Sequence, residues 1–561
     1  MKDNTIKIVV IALIVFGVIF GAVTLTNNSE DRNNPKVTMS RADALEKLDK
    51  LYSKITVKES QLRYDPDFSD DEAIAVLPQL NDYDFVVNPT TADYITIYSS
   101  PEKSGTGYSN WLIELAEKFN AGKVKIDEKI VSVGIRSIPN DVSTNFISSG
   151  KHIPDVFMPS SELWGDMLMS KGVKIDLLDK RMAGNVPGII LYNKKNDELA
   201  DKYGKLNYKN IIEEILKNEI SIAYSNPLSN SEGLNFILTA LVTFNSNDPI
   251  GEDSVLQLRK LQDNIRFVAY DSAQLKMSAL NGTLDGFVSD HLTYVNSPEL
   301  KSSYTFIPFG VRHDQPAYII GELSSLKKQT AQQFIEYCKT AEAQKAAADK
   351  GFNGLEDYTA AFTKPDSTIV LQAQETWKKE KNGSSDMTAI FVADVSGSMD
   401  GSPLLKLKAS LNSAATFIDT NTNVGLITFS DNVNIALPIA KFDDNHKRYF
   451  SGAVKAMSAG GATAMFDAIV VAQKMLVDAQ TRNPNTKLKL FVLTDGETNR
   501  GCEFKDVEGI IGGLEIQIYT IGYNEDIEIL EKVSAINEAT SINAETDDVI
   551  AKLQSLFNAQ M

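Results

Sequence analysis

TAIFVADVSGSM, at residues 388–399, is an apolar, strand-like run that ends in alternating carboxylate and hydroxyl side chains just before a helical pattern. Two further polar loops have a similar position beside predicted strands or helices. Gly-Gly-Ala-Thr at 460–463 precedes a second helical pattern, and Leu-Thr-Asp-Gly at 493–496 ends a later strand-like run. In a doubly wound α/β sheet such loops lie together at the carboxyl edge of the strands, where these folds build their sites. The side chains expected to meet there are Asp394, Ser396, Ser398, Thr463 and Asp495.

These five side chains offer two carboxylates and three hydroxyls, without His or Cys. Such a hard oxygen donor set suits Mg²⁺, Mn²⁺ or Ca²⁺ rather than zinc. It is too small to complete a coordination shell, so one position stays open for a carboxylate from a partner. The alternative is an ordinary helix cap after a buried strand together with an ordinary Asp-Gly turn. Three elements in order, each at a strand end, favour the metal site.

The three elements resemble the metal-ion-dependent adhesion site of the von Willebrand factor A domain family, over about 386–557. The resemblance implies a doubly wound, Rossmann-like domain at 386–561. It also implies that the hydroxyls bind Mg²⁺ (or Mn²⁺/Ca²⁺) directly, that the aspartates bind it directly or through water, and that an acidic residue of a protein partner completes the site. Ala462 is a departure, because many members have Gly-Gly-Thr without an intervening residue.

Both large segments of the chain alternate short β-branched runs with helical patterns, which predicts parallel sheets covered by helices. The predicted strands are 94–100, 125–133, 154–160, 187–192, 221–226, 266–270 and 305–309 in the middle segment, and 388–396, 423–430, 487–495 and 515–522 in the final one. The predicted helices include Tyr108–Asn120, Leu234–Phe244, Leu404–Ile418 and Met465–Leu476.

The middle segment, about 87–365, resembles bacterial extracellular solute-binding proteins of the periplasmic type II class. The residues that carry this resemblance are YITIYSSPEKSG (94–105), GKHIPDVFMPSSELW (150–164), SNPLSNSEGLNFI (225–237) and LNGTLDGFVSD (280–290). The resemblance implies a two-lobed domain that closes around a ligand, with lobe I at 87–190 and 315–365 and lobe II at 191–314.

Hydroxyl-rich loops at strand ends and helix starts are candidates for solute contacts, because free N–H groups and the helix dipole attract anions there. The candidate ligand-binding residues are Ser99, Ser100, Ser160, Ser161, Ser229, Ser231 and Asp290. They suit a small polar or anionic solute. Serine is also common at these positions as a simple cap, and this alternative carries equal weight.

The apolar run at 8–25 has no charged residue, and its 18 residues are long enough for one membrane-spanning helix. Lys2 and Lys7 precede the run and acidic residues come after it, which places the short amino end in the cytoplasm and the bulk of the chain outside. We therefore expect a single-pass protein of the cell membrane, with 1–26 as tip and transmembrane helix. The alternative is a cleaved signal peptide. Residues 27–86 are expected to form a stalk with one helix at Arg41–Ile55, and 366–385 a polar linker.

The composition and motifs of the chain argue against several classes of function. The net charge is −18 and no basic cluster occurs, which argues against nucleic-acid binding. The two cysteines cannot make a disulfide framework or a cysteine-rich zinc site. Motifs for phosphate loops, nucleophile elbows and His-Glu-x-x-His metalloproteases are absent from the sequence. We therefore expect an extracytoplasmic binding protein rather than an enzyme. The alternatives are the solute-capture component of an ABC-type transport system and an uncharacterised extracytoplasmic hydrolase.

Overall fold

A computed structural model describes residues 39–68, 77–496, 498–523, 528–543, 553, 556, 557 and 559–561. The apolar run at 8–25, predicted to span a membrane, lies outside these residues. Within the described ranges, no helix has the length and apolar character that crossing a bilayer requires.

The described residues form α-helices and strands in alternation. The strands are β1 (Val57–Glu59), β2 (Phe85–Val87), β3 (Asp93–Ser99), β4 (Lys125–Ile126), β5 (Lys129–Ser137), β6 (Val156–Met158), β7 (Ile175–Asp179), β8 (Pro187–Tyr192), β9 (Ile222–Ser225), β10 (Val268–Ala269), β11 (Gly286–Asp290), β12 (Tyr304–Pro308), β13 (Ala317–Ile320), β14 (Asp386–Asp394), β15 (Thr422–Phe429), β16 (Val433–Lys441), β17 (Thr486–Thr494), β18 (Gln517–Gly522) and β19 (Ser541–Asn543). The helices are α1 (Arg41–Tyr52), α2 (Pro101–Ser104), α3 (Trp111–Ala121), α4 (Asn140–Ser148), α5 (Glu162–Ser170), α6 (Asn193–Tyr203), α7 (Tyr208–Leu216), α8 (Ser231–Phe244), α9 (Glu252–Asn264), α10 (Ser272–Leu280), α11 (His291–Val295), α12 (Pro298–Ser303), α13 (Ser325–Cys338), α14 (Ala341–Asp349), α15 (Ser367–Glu380), α16 (Ser402–Phe417), α17 (Asp444–Lys455), α18 (Met465–Arg482), α19 (Phe504–Leu514) and α20 (Glu528–Ile536).

The middle part has two sheets, one in each lobe. Lobe I contains the order β2-β5-β3-β6-β13-β7, with β4 paired to β5, and lobe II contains β10-β9-β11-β8-β12. The predicted strand at 125–133 is instead the hairpin β4–β5, because Asp127 and Glu128 turn the chain with φ of 47° and 64°. Strand β8 belongs to the sheet of lobe II, so lobe II begins before residue 187 rather than at 191.

The C-terminal part is built on a third sheet, of order β1-β16-β15-β14-β17-β18-β19. Its central strand β14 is parallel to both neighbours and is buried on both faces. Ile390 and Val392 point into the core formed with α18, while Phe391 points into the core on the other face. Burial on both faces explains why the strand reads as an uninterrupted apolar run rather than an alternating one.

Residues 39–68, which we name the belt, pack on this C-terminal sheet. Helix α1 lies against α18 and α19, with Ala44 and Leu48 fully buried. Strand β1 then pairs with β16 and covers an edge of the sheet. The prediction of a stalk over 27–86 is wrong for these residues, because the apolar face of the predicted helix is buried in the C-terminal core.

The segment 366–385, predicted to be a linker, contains the 14-residue helix α15. Its buried face carries Val370, Ala373 and Trp377, which share one hydrophobic core with both lobes. The prediction of a polar linker is therefore wrong, because the chain after lobe I forms a packed helix. The polar sequence continues only as a short turn at 381–385, which leads directly into β14.

Candidate metal site and interlobe region

Asp394 ends the central strand β14 and is fully buried. Its Oδ1 accepts a hydrogen bond from the backbone N–H of Ser396 at 2.7 Å. Its Oδ2 accepts one from the hydroxyl of Thr494, the last residue of β17, at 2.5 Å. The parallel pairing of β14 and β17 thus brings the first and third motifs together at the carboxyl edge, as the sequence predicts.

The hydroxyls of the first motif connect Ser396 to Asp495 of the third motif. The hydroxyls of Ser396 and Ser398 are 3.0 Å apart, and the Ser398 hydroxyl donates to Oδ1 of Asp495 at 2.9 Å. Ser396 and Asp495 are buried, whereas Ser398 is exposed. The predicted donors of the first and third motifs therefore face one another, and the site is open on the side of Ser398.

The second motif is tied to the first through the backbone. The N–H of Gly397 donates to the carbonyl of Gly461 at 3.0 Å. Thr463, which is buried, is held by Asn499: its N–H donates to Oδ1 of Asn499 at 2.8 Å, and the N–H of Asn499 donates to its carbonyl at 3.1 Å. Asn499 was not predicted as a site residue, although its place four residues after Asp495 is an available signal.

The loop at 460–463 accommodates its additional residue through Asp431. The N–H of Ala462 donates to Oδ1 of Asp431 at 3.3 Å, and Arg500 is paired with the same carboxylate at 3.3 Å. Gly461 has φ of 89°, and a Cβ there would lie 2.4 Å from Oδ2 of Asp431. The positive φ favours glycine here, and a Cβ would also displace the Asp431 carboxylate.

Burial, with a smaller contribution from the nearby charge of Asp495, raises the pKa of Asp394 to about 6, against the hydrogen bonds from Thr494 and Ser396. Two carboxyl groups thus share one partly buried pocket with hydroxyls between them. The hydroxyl of Thr498, in the loop that follows Asp495, is buried without a hydrogen-bond partner among the described residues. Clusters of three or more His, Cys, Asp or Glu side chains suited to a metal do not occur in those residues. The donor set at 394–398, 463 and 495 differs from such clusters because hydroxyls provide three of its five oxygens, and this chemistry fits a hard divalent cation.

The solute-binding candidates of the middle part lie mostly between the lobes, but their side chains are bonded within the protein. Ser160 of lobe I and Ser231 of lobe II share a hydrogen bond of 2.5 Å, and Nε1 of Trp164 donates to Ser231 at 2.8 Å. Asp290 caps α11 through the N–H of Thr293 at 2.7 Å, and accepts from Asn185 at 2.8 Å.

The remaining candidates have local roles. Ser100 accepts from Nζ of Lys103 at 2.8 Å, and Ser99 donates to the carbonyl of Ser100 at 3.3 Å. Ser161 caps α5, with its hydroxyl 3.4 Å from the N–H of Leu163. Ser229 lies in the turn before α8 and is half-buried. The structure therefore brings Ser160 and Ser231 together and leaves Ser229 at the periphery.

Three buried titratable residues near the predicted solute contacts were not predicted from the sequence. Lys103 is fully buried, burial lowers its pKa to about 7, and its Nζ donates to Met158 O, Pro159 O and Gln315 Oε1 as well as to Ser100. Burial raises the pKa of Glu232 well above its usual range, and the carboxyls of Asp290 and Glu102 raise it further. Burial lowers the pKa of His313 to about 3. Nδ1 of His313 lies 4.0 Å from Oε1 of Glu232 although the two residues are far apart in the sequence, so no spacing rule connects them.

Two family models match separate parts of the chain. Residues 389–559 match the von Willebrand factor type A domain, and residues 103–353 match the bacterial extracellular solute-binding protein family. A von Willebrand factor A domain-containing protein from Dictyostelium discoideum is 27% identical over 174 residues, which are 30% of this chain and 18% of that protein. The chain thus spans about a fifth of the length of this relative.

Several solved structures of low sequence identity align with parts of the chain. The periplasmic thiamin binding protein has 13% identity and a TM-score of 0.38, covering 53% of this chain and 99% of that chain. Iron-bound HitA from Pseudomonas aeruginosa has 14% identity and a TM-score of 0.37, covering 52% and 99%. A von Willebrand factor type A protein from Catenulispora acidiphila has 16% identity and a TM-score of 0.28, covering 32% and 43%. Two separate parts of the chain are thus similar to known families, residues 103–353 to bacterial extracellular solute-binding proteins and residues 389–559 to the von Willebrand factor type A domain.

Proposed function

We propose that this chain is an extracytoplasmic binding protein whose C-terminal part holds Mg²⁺ (or Mn²⁺/Ca²⁺) and thereby binds an acidic side chain of a protein partner. The observation that carries the proposal is the hydrogen-bonded series from Asp394 Oδ1, which accepts from the backbone N–H of Ser396, through the hydroxyls of Ser396 and Ser398 to Oδ1 of Asp495. The two family matches support a binding function at a coarser level.

The residues named for the metal have distinct tasks. Ser396, Ser398 and Thr463 would supply neutral oxygens, while Asp394 and Asp495 would supply the charge that balances the cation. When bound, the cation acts as a Lewis acid and attracts a carboxylate to its open position. Asn499 holds the backbone of Thr463, and Thr494 fixes Oδ2 of Asp394. Because Ser398 is exposed, a partner would approach from its side.

The test is a calorimetric titration of Mg²⁺ and Mn²⁺ into the full chain and into an Asp394→Ala, Asp495→Ala double variant. We expect saturable binding to the wild type and a loss of affinity of about 30-fold or more in the variant, because both charged ligands are gone. The matched control is Asp478→Ala. Asp478 is 49% exposed, is paired with Lys474, and lies on α18, the helix that follows the second motif. The control is expected to bind like the wild type.

The partner's carboxylate contributes to affinity in this proposal, so the titration is repeated with acetate and with an acidic peptide present. Cation binding that is equal in the wild type and the double variant overturns the metal site. Metal binding without any enhancement by acetate or peptide overturns the mode of partner recognition and leaves the metal site standing.

Cation affinity is expected to depend on pH. Because the pKa of Asp394 is raised to about 6, the carboxyl is protonated below that pH and must lose its proton before it can bind a cation. Affinity should therefore be constant above about pH 7 and fall about tenfold per pH unit below about 6. Titrations of Mn²⁺ between pH 5 and 8 measure this slope. An affinity that stays flat to pH 5 would contradict the raised pKa, and Ser398→Ala should bind more weakly with the same slope.

The middle part is proposed to bind a small polar solute between its lobes. Three carboxyl groups, those of Glu102, Glu232 and Asp290, influence one another in this region, which disfavours an anion. Thermal shifts with a panel of cationic, neutral and anionic solutes test this proposal. Co-isolation with permease subunits would instead favour a role in ABC-type transport. We propose binding rather than catalysis, and hydrolysis of none of the panel compounds is the expected result.

We also propose that the chain is anchored in the cell membrane by residues 8–25, with its amino end in the cytoplasm. The absence of charge in this run and the two preceding lysines support the proposal. Protease treatment of intact cells tests it, because the described ranges should then be degraded from outside. Protection of the C-terminal part in intact cells would overturn the orientation.

A further inference from the structure

The two lobes are in direct contact at the residues predicted to bind a solute. The hydroxyl of Ser231, at the start of α8 in lobe II, is bonded to Ser160 and Trp164 of lobe I. All three side chains are almost completely buried. These groups bind each other in the observed arrangement, so a solute reaches them only after the lobes separate.

Helix α15 packs on both lobes at once. It lies along α5 of lobe I and against α8 and α9 of lobe II. Trp377 and Val370 are fully buried in the same core as Leu163 and Trp164 of lobe I and Leu258 of lobe II. Separation of the lobes must therefore detach this helix from one of them.

The contacts of α15 with lobe II are the more extensive polar set. Nε1 of Trp377 donates to the hydroxyl of Tyr224 at 2.7 Å, and Nε2 of Gln374 donates to the carbonyl of Pro227 at 2.7 Å. Arg259 of α9 is paired with Glu380 at 2.6 Å. The helix therefore stays with lobe II when the lobes separate.

Lobe II is in turn fixed to the C-terminal part. Nε2 of Gln274 donates to the carbonyl of Glu538, and Nε2 of Gln560 donates to the carbonyl of Val268, both at 2.6 Å. The turn after α15 is held by Asp263, whose Oδ1 accepts from the N–H of Ser384 at 2.7 Å. This turn leads into β14, the strand that ends at Asp394.

On the lobe I side, two ion pairs of one lysine secure the segment that enters α15. Nζ of Lys364 lies 2.6 Å from Oδ2 of Asp166 and 3.2 Å from Oε2 of Glu162, both on α5. The Asp166 side chain is only 6% exposed, so this carboxylate would be left buried and unpaired without Lys364. The pairs thus favour the arrangement in which the helix is seated on α5.

We propose that residues 364–380 form a latch, fixed to lobe II, that holds lobe I closed and so controls access of solute to the region between the lobes. This inference rests on the proposed function in one respect, namely that the solute binds in the region between the lobes. Lobe II is hydrogen-bonded to the C-terminal part, and the turn at 381–385 leads directly into β14. Release of the latch therefore moves lobe I alone and leaves the metal site in place.

The test measures the distance between the lobes without solute or metal. Spin labels are placed at Lys151→Cys in lobe I and Ser246→Cys in lobe II, both exposed positions, with Cys502→Ser to remove the half-buried native thiol. Double electron–electron resonance on the full chain should show one short distance. Lys364→Ala should add a longer distance and raise the open fraction about tenfold, because the closed form alone loses its ion pairs.

Lys364→Met serves as a second variant that keeps the aliphatic stem and removes the charge, and it should open the lobes as well. Lys345→Ala is the matched control, since its ion pair with Asp349 on lobe I is exposed and remote from α15. The same distance distribution in both Lys364 variants and the control overturns the latch. If the Lys364 variants open but no solute binds, the latch is supported and the proposed solute site is contradicted.

Discussion

Gly452→Ala is expected to lower the free energy of unfolding of the C-terminal part by about 3 kcal/mol and to release the belt. Gly452 lies in α17, and a Cβ there would be 2.0 Å from the carbonyl oxygen of Arg63. The obstacle is backbone, which a rotamer change cannot remove. Release would also separate Asp65, which is 3% exposed at its side chain, from Lys455 at 2.6 Å.

The sign of this effect is diagnostic. In a helix free of such contact, Gly→Ala stabilises by about 1 kcal/mol, so a stabilised Gly452→Ala variant would refute the packing of the belt. Hydrogen exchange at the N–H groups of Ser60 and Asp65, which donate to Ile435 and Arg448, reports release directly. Ala453→Gly is the control, because it lowers helix propensity on the same helix without adding an atom.

Gly233→Ala is expected to destabilise lobe II by about 4 kcal/mol, within the range of the most damaging single substitutions. A Cβ at this position of α8 would lie 1.8 Å from the carbonyl oxygen of Ser225, at the end of β9. Helix and strand would have to separate at the place where Ser231 meets lobe I. Denaturant unfolding and solubility of the full chain measure the effect.

Thr243→Ala on the same helix is the control for Gly233→Ala. Thr243 is half-buried at the other end of α8, and its hydroxyl donates only to the carbonyl of Thr239. We expect it to unfold at nearly the wild-type denaturant concentration. If Gly233→Ala behaved the same way, the close approach of α8 and β9 would be wrong.

The metal-site geometry was accessible from sequence because it depends on strand ends. In a parallel sheet, apolar runs such as that before Asp394 fix where each strand stops, and the topology then places Asp495 beside it. Asn499 and Asp431 were not predicted because their side chains bind loop backbone; Asn499 is at least close to Asp495 in the sequence, whereas Asp431 is distant from every motif. Strand β16 also escaped, since Pro438 lies within it and its pairing with β15 shifts register.

The belt and the latch show a different limit. The helical spacing of Ala44 and Leu48 predicted a helix with one apolar face, but not which surface that face covers. The three residues of β1 are too few for a periodic signal. The charged residues at 378–381 favoured the interpretation of this segment as a linker. Trp377, which is buried, instead packs α15 between the lobes. Serine at a strand end was equally consistent with solute binding and with the interlobe hydrogen bonds that are observed.

The belt also has a consequence for biosynthesis. Its residues leave the ribosome before the middle part, whereas the surfaces that they cover on β16, α17, α18 and α19 are made only after the middle part is complete. At roughly 5–20 residues per second, the wait lasts about 20–80 s. Through that interval the apolar face of α1 has no native surface to cover, and the middle part folds as an insertion between two halves of another domain. Completion of the C-terminal sheet, in which β1 of the belt pairs with β16, is therefore a late step of folding.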